Sequence, residues 1–172
     1  VFPKAVKITD LPPVFVDGVT QGRFSAPLPI ALGLVCYDPL STVQAQSTKH
    51  AIDALAGVPD VKGRVKKNRI VTIDRPGTNL RRSRSIAGYP VISGYQKDEY
   101  PPAVFLENAG TAHVRNILAS DNLSFGGYLG NTITGLPGTT AANAIYKDGN
   151  QVELVVAPRI SGRGALYCKN AW

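Results

Sequence analysis

The chain contains no methionine at any of its 172 positions, position 1 included. Val1 is therefore expected to be a processed or trimmed end, and a removed secretory signal is its simplest source. No apolar run approaches the roughly 20 residues that a membrane-spanning helix requires, so no membrane partner is expected. Cysteine is scarce: Cys36 and Cys168 stand near opposite ends of the chain. Paired, they would close most of it into one loop, which stabilises by restricting the unfolded ensemble; a disulfide and an oxidising, extracellular compartment are expected. Acidic residues are almost missing from one region. Between Lys62 and Arg84 the nine basic residues Lys62, Arg64, Lys66, Lys67, Arg69, Arg75, Arg81, Arg82 and Arg84 face the single acid Asp74. That stretch carries +8 of a net charge of +7, leaving −1 elsewhere. A mixed-sign solubilising surface does not look like this; a polyanion partner does, because each neutralised phosphate releases counterions. The stretch lacks the leucine and aromatic face of an interfacial helix, which favours nucleic acid over an anionic membrane.

With 44% apolar residues, 17 Gly and 13 Pro, turns and strands should outnumber long helices. The length suits one domain with a substantial core. The expected fold is α+β, a small single domain (1–172) with an antiparallel sheet. Residues 1–41 would be an N-terminal extension packed on the core, 42–138 the central region that holds the motifs described below, and 139–172 a C-terminal hairpin and tail. Along the chain, Val1–Pro29 reads as extended segments with a turn at Asp17-Gly18, and Ile30–Tyr37 as core anchored by Cys36. Ser47–Ala56 has helical spacing, with Ser47 or Thr48 as its cap and His50 on the first turn as a surface or capping residue, a substrate-facing role being the alternative. Arg69–Ile73 reads as a strand, Asp74–Asn79 as a turn and Leu80–Ile86 as a short helix. Lys147-Asp148-Gly149-Asn150 is a hairpin turn between Ala144–Tyr146 and Gln151–Val156. From Ser161 to Trp172 the tail reads as loop.

The most informative stretch is Ser93–Gly138. An acid pair, Asp98-Glu99, stands before Tyr100-Pro101-Pro102. A β-favouring run Ala103–Leu106, a polar turn Glu107-Asn108-Ala109-Gly110 and a second apolar piece around Val114–Leu118 follow. Ser120-Asp121-Asn122 then opens a glycine-rich segment ending in Gly130-Asn131. Pro resists helix and Ser and Asp are helix-capping types, so the reading is strand, turn, strand, helix. A ββα metal nuclease needs that order: a base on or just after the first strand and an amide or imidazole ligand on the helix meet around one divalent ion. His113, between apolar neighbours on a strand, reads as structural.

Gly94-Tyr95-Gln96-Lys97-Asp98-Glu99-Tyr100-Pro101, Val114-Arg115, Ser120-Asp121-Asn122 and Gly126-Gly127-Tyr128-Leu129-Gly130-Asn131 together closely resemble the NucA/NucB deoxyribonuclease family of small secreted endonucleases. Upstream, Thr72-Ile73-Asp74-Arg75, Gly77, Arg81-Arg82-Ser83 and Gly88 fall where that family has a strand, a turn and an Arg pair, and His50–Leu55 resembles its early helix. The likeness runs from near Thr48 to Gly138. The chain departs from the family pattern at Gln96-Lys97, where Asp-Arg is common, and at Leu123, where an Arg follows the SDN motif. Val71 and Phe105 occupy positions that carry cysteine in bacterial members, as though packing replaced a cross-link.

The resemblance implies a secreted, metal-dependent endonuclease acting on DNA with little sequence preference. Asp98 would be the general base, with Glu99 the second choice; Asn131 would ligate Mg²⁺ or Mn²⁺, and Asn122 would position the helix or a metal-bound water. Arg82 would face the scissile phosphate, and Arg81, Arg82, Arg84, Lys97, Arg115, Lys66 and Lys67 would contact the nucleic acid. Guanidinium grips two phosphate oxygens at once and offsets developing charge. The alternatives are a binding or toxin-like module that has lost catalysis, a nuclease acting on RNA, and a structural secreted domain with a basic patch. A protein inhibitor is left open as a partner. Asn122-Leu123-Ser124 is also a glycosylation sequon, and a glycan there would obstruct the site.

Overall fold

The computed structural model describes residues 33–134, 146–162 and 165–168. The expectations for Val1–Pro29, Thr139–Asn143, Ala144-Ile145 and the last four residues lie outside them. The elements run β1 (Gly33–Tyr37), α1 (Ala45–Leu55), β2 (Ile70–Thr72), α2 (Thr78–Ile86), β3 (Tyr95–Tyr100), β4 (His113–Leu118), α3 (Ala119–Thr134), β5 (Gln151–Val156), β6 (Arg159–Gly162) and β7 (Ala165–Cys168). This is a small single-domain α+β fold. Among the described residues no helix is long and apolar enough to cross a membrane.

The described residues form three sheets. In the first, β5 is central, parallel to β1 and antiparallel to β2. Its Val152 and Leu154 are completely buried, as a strand flanked on both edges requires. The second is the β3–β4 hairpin, in register from Tyr95 opposite Leu118 to Tyr100 opposite His113, with α3 following directly from β4. The third, β6–β7, pairs Arg159 with Cys168 across an antiparallel ladder. The tail expected as loop is thus a hairpin, because the backbone groups of each segment find their partners in the other.

The main core lies between the first sheet, α1 and α3. It contains Val35, Tyr37, Ala51, Ala54, Val71, Ile73, Tyr100, Phe105, Phe125, Leu129, Ile133, Val152 and Leu154. Tyr37 stacks on Phe125 with ring centroids 4.4 Å apart. Val71 and Phe105 are both fully buried there. Cys36 on β1 is bonded to Cys168 on β7, 132 residues away in sequence. The cross-link fastens the last hairpin to the central sheet, and Arg159 reinforces it by donating from Nε to the Cys36 carbonyl at 3.1 Å and lying 3.7 Å over the Tyr128 ring.

Two local expectations change. The first strand of the ββα unit is Tyr95–Tyr100 rather than Ala103–Leu106, so the acid pair sits on the strand and not in a turn before it. Pro101 and Pro102 end the ladder because neither can donate a backbone hydrogen bond. The Ala103–Leu106 run then crosses to the first sheet, touching it through one bridge between Phe105 and Ile73. The second change concerns α1, which begins at Ala45, with Ser47 and Thr48 buried inside it. Its end is capped from a distance: the Asp121 carboxylate accepts from the backbone N–H of Gln46 (2.8 Å) and Ser47 (2.9 Å) and from the Ser47 hydroxyl (2.6 Å). Asp121, expected to cap its own helix, satisfies the orphan donors of another.

Candidate active site

Tyr95–Tyr100 alternates its side chains between two faces of the hairpin. Gln96 and Asp98 turn toward α3 and α1, and Glu99 toward α2. Where α2, β3 and α3 meet they leave a cleft of about 530 Å³ lined by Arg82, Lys97, Asp98, Glu99 and Asn122 among others. Its rim is partly apolar, with Val91, Ile92, Tyr95 and Leu123 all substantially exposed. Gly126 and Gly127, on the α3 side, present bare backbone to open space: a Cβ at either would meet nothing within 4 Å.

Asp98 is buried except for the part that lines this cleft. One carboxylate oxygen, Oδ2, lies 2.7 Å from His50 Nδ1, and His50 Nε2 lies 2.7 Å from His113 Nδ1. His113 Nε2 is 3.0 Å from the Val58 carbonyl. Both imidazoles are only 1% exposed, so neither can touch a substrate. The structure corrects the expectation for His50: it is not a surface residue of a first turn but the buried partner of the favoured base. His113, read from sequence as structural, is buried on β4. Burial, and then the neighbouring His50, hold the His113 imidazole below the ordinary histidine range.

Glu99 has a different environment. Burial raises its carboxyl above the ordinary range, opposed by the Asn108 amide and by Arg82. Arg82 Nε is 3.4 Å from Oε2, and Asn108 Nδ2 is 3.3 Å from Oε1. Asn108 is completely buried and fully used. Its amide also donates to the Pro101 carbonyl at 2.8 Å, while its oxygen accepts from the Ser85 hydroxyl at 2.8 Å and the Gly110 N–H at 3.0 Å. It therefore locks α2, the end of β3 and Glu99 together. The two acids, adjacent in sequence, are held by unrelated partners on opposite faces.

Asn122, on the first turns of α3, donates through Nδ2 to Gln96 Oε1 at 2.9 Å. That bond fixes the amide plane and leaves the Asn122 oxygen for another partner. Asn131 is not brought to the cleft. It is exposed nine residues further along the same helix, about 13 Å along the axis and about half a revolution around it. The Arg pair also divides. Arg81 is turned inward, donating to the Asp74 carboxylate, the Asp74 carbonyl and, at 2.8 Å, the Ala103 carbonyl. Gly77 leaves the guanidinium its room, since a Cβ there would press on the ends of the Arg81 and Asp74 side chains. Arg82, with a side chain 56% exposed, is the member that lines the cleft.

Of the other basic residues, Lys97 lines the cleft and Arg84 is exposed on α2. Arg115 pairs with Asp53 at 2.8 Å, and Lys66 donates to the Glu107 carbonyl at 3.2 Å. Lys67 is exposed and packs its stem near Gly57. From sequence no site role is expected for Asn108 or Gln96, and for His50 a substrate-facing role is only the secondary reading. Only Asn108 carried a local signal, as the Asn of a turn adjoining the acidic motif.

Compared with models of protein families, the chain matches none. Among curated proteins it is 30% identical over 121 residues to the DNA-entry nuclease of Bacillus subtilis (strain 168), covering 64% of this chain and 82% of that protein. With the acid pair and the asparagine on a strand–strand–helix unit and Arg82 brought to the same cleft from α2, the likeness in sequence has a counterpart in three dimensions, and the chain belongs to the DNA-entry nuclease family.

Proposed function

We propose that the protein is a secreted, metal-dependent endonuclease that hydrolyses DNA phosphodiester bonds with little sequence preference. The observation that carries this reading is the convergence of Asp98, Glu99, Arg82 and Asn122 on one cleft in a strand–strand–helix frame. DNA as the substrate class is taken from the relative's name, and the basic stretch from Lys62 to Arg84 supports a polyanion. The Cys36–Cys168 bond supports an oxidising compartment.

In this reading the Asp98 carboxylate takes a proton from the attacking water through the oxygen not bound to His50. Arg82 offsets charge developing on the phosphoryl oxygens. Glu99, pinned by Asn108, holds Arg82 at the cleft mouth. The open backbone at Gly126 and Gly127 leaves room for a sugar–phosphate chain to approach.

Among the described residues no group of three or more His, Cys, Asp or Glu side chains could cage a cation. The donors present fit a hard ion that keeps most of its waters, and the Asn122 oxygen, freed and oriented by Gln96, is the residue that would hold it. Bound there, Mg²⁺ or Mn²⁺ would supply Lewis-acid stabilisation of phosphate charge. The exposed Asn131, the expected ligand, is not among the residues that line this cleft.

Plasmid cleavage with Mg²⁺ or Mn²⁺, with an EDTA control, tests the reading. Cleavage that is metal-dependent and lost in Asp98→Ala/Glu99→Ala supports it. Salt-sensitive DNA binding without cleavage by the native protein overturns it in favour of a binding module.

A further inference from the structure

The buried chain Asp98–His50–His113–Val58 fixes its own proton count. The Val58 carbonyl can only accept, so His113 Nε2 carries a hydrogen. Two imidazole nitrogens at 2.7 Å cannot face each other as lone pairs, so a proton lies between His50 Nε2 and His113 Nδ1. Likewise a carboxylate oxygen and an imidazole nitrogen at 2.7 Å need a proton between them. Three contacts require three protons. Two neutral imidazoles beside an ionised carboxylate supply only two.

We propose that Asp98, His50 and His113 share one extra proton at rest, and that His50 is a positioning residue that sets the pH at which Asp98 becomes free to act as a base. The proton resides on the Asp98–His50 pair rather than on His113, whose charged form is disfavoured by burial and by His50. The titratable and charged groups around the chain are Tyr37 on β1, Glu99 beside Asp98 on β3, Asp60 in the loop after α1, and Arg115 on β4. None of them is hydrogen-bonded to either imidazole, so the count closes within the three residues.

The inference rests on the nuclease reading for its catalytic half. At rest the pair is one proton too full to take another readily. When that proton has left for solvent, Asp98 accepts one from water as the water oxygen bonds to phosphorus. The ester P–O bond breaks, the leaving oxygen takes a proton from solvent, and the Asp98–His50 pair is returned to its resting count.

Two measurements on the full chain test this. Nitrogen-15 NMR of the imidazoles and carbon-13 NMR of the carboxyls, without nucleic acid and near neutral pH, should find three protons on the chain. Either both His50 nitrogens are protonated, or His50 carries one and Asp98 carries the other. An ionised Asp98 beside a singly protonated His50, with His113 neutral, overturns the proposal. The pH profile of plasmid cleavage by His50→Asn should have its acid limb moved to lower pH by about one unit or more, the interaction expected of coupled groups. An unmoved limb with a uniformly lower rate makes His50 merely structural. If His50→Asn does not fold, His50→Gln serves, and the NMR count needs no variant. A native protein that cuts nothing would sink the nuclease reading while the spectra still decided the proton count.

Discussion

Arg81 and Arg82 are adjacent and chemically identical, yet the structure gives them opposite work. Arg81→Ala removes three donated hydrogen bonds from a largely buried guanidinium and should cost about 2–3 kcal/mol of stability. A urea titration reads this as a lower midpoint. Arg82→Ala leaves the midpoint nearly unchanged and lowers the cleavage rate by about 10²-fold, the usual loss for one group that stabilises developing charge. Equal effects of the two variants on both readouts would contradict the division. Titration behaviour also separates neighbours by environment. Burial pushes the Asp60 carboxyl up, but hydrogen bonds from the Tyr89 hydroxyl and the backbone N–H groups of Arg64, Val114 and Lys62 outweigh it and leave it below the ordinary range. Its stabilising contribution is therefore complete above its unfolded value of about 3.9 and is lost as pH falls through the lower folded value. Glu99 has the opposite sign: its raised folded value makes its contribution largest below its unfolded value of about 4.3, and that contribution fades as pH rises. Across an acid-to-neutral series of urea titrations, Asp60→Asn should flatten the loss at the acid end. Glu99→Gln should raise stability at neutral pH.

At the scale of elements, the ββα unit and α1 depend on each other through Asp121. Asp121→Ala strips the cap from α1 and leaves the N–H groups of Gln46 and Ser47 without a partner, costing about 2 kcal/mol. Because α1 carries His50 to Asp98, the same variant should lower cleavage below what the lost stability explains, when both are measured at a temperature where the protein stays folded. Asp121→Asn, which keeps one accepting oxygen, should recover part of both. The SDN motif therefore reads best as two functions in adjacent residues. Asp121 docks a helix, and Asn122 faces the cleft.

For the whole molecule, the cross-link between Cys36 and Cys168 closes a loop of 132 residues, for which the chain-entropy argument gives up to about 5 kcal/mol. Reduction, or Cys36→Ser with Cys168→Ser, should lower the urea midpoint by a large fraction of the total stability. Neither cysteine lines the cleft, so activity of the folded reduced protein should change little. A reduced protein as stable as the oxidised one would show that packing of β6–β7 and Arg159 already holds the C-terminal hairpin in place.

What the sequence by itself determined were the features with a local physical cause. Helical spacing marked α1, the Asp-Gly turn marked the approach to β5, and the order of strand, turn, strand and helix around the acid pair was legible because Pro, Gly and Asp act on their own backbone. The α+β class and the Cys36–Cys168 bond followed from composition and count. Only the tertiary structure decided which strand the acids occupy, since Ala103–Leu106 has the β-favouring side chains while the prolines and the pairing with β4 select Tyr95–Tyr100. It also decided that His50 is buried and that Asp121 caps a helix 74 residues away. In the same way it turned Arg81 inward and carried Asn131 away from Asn122. Each of these turns on which side chain meets which across long sequence separations, and spacing along a chain holds no information about a contact that only packing creates.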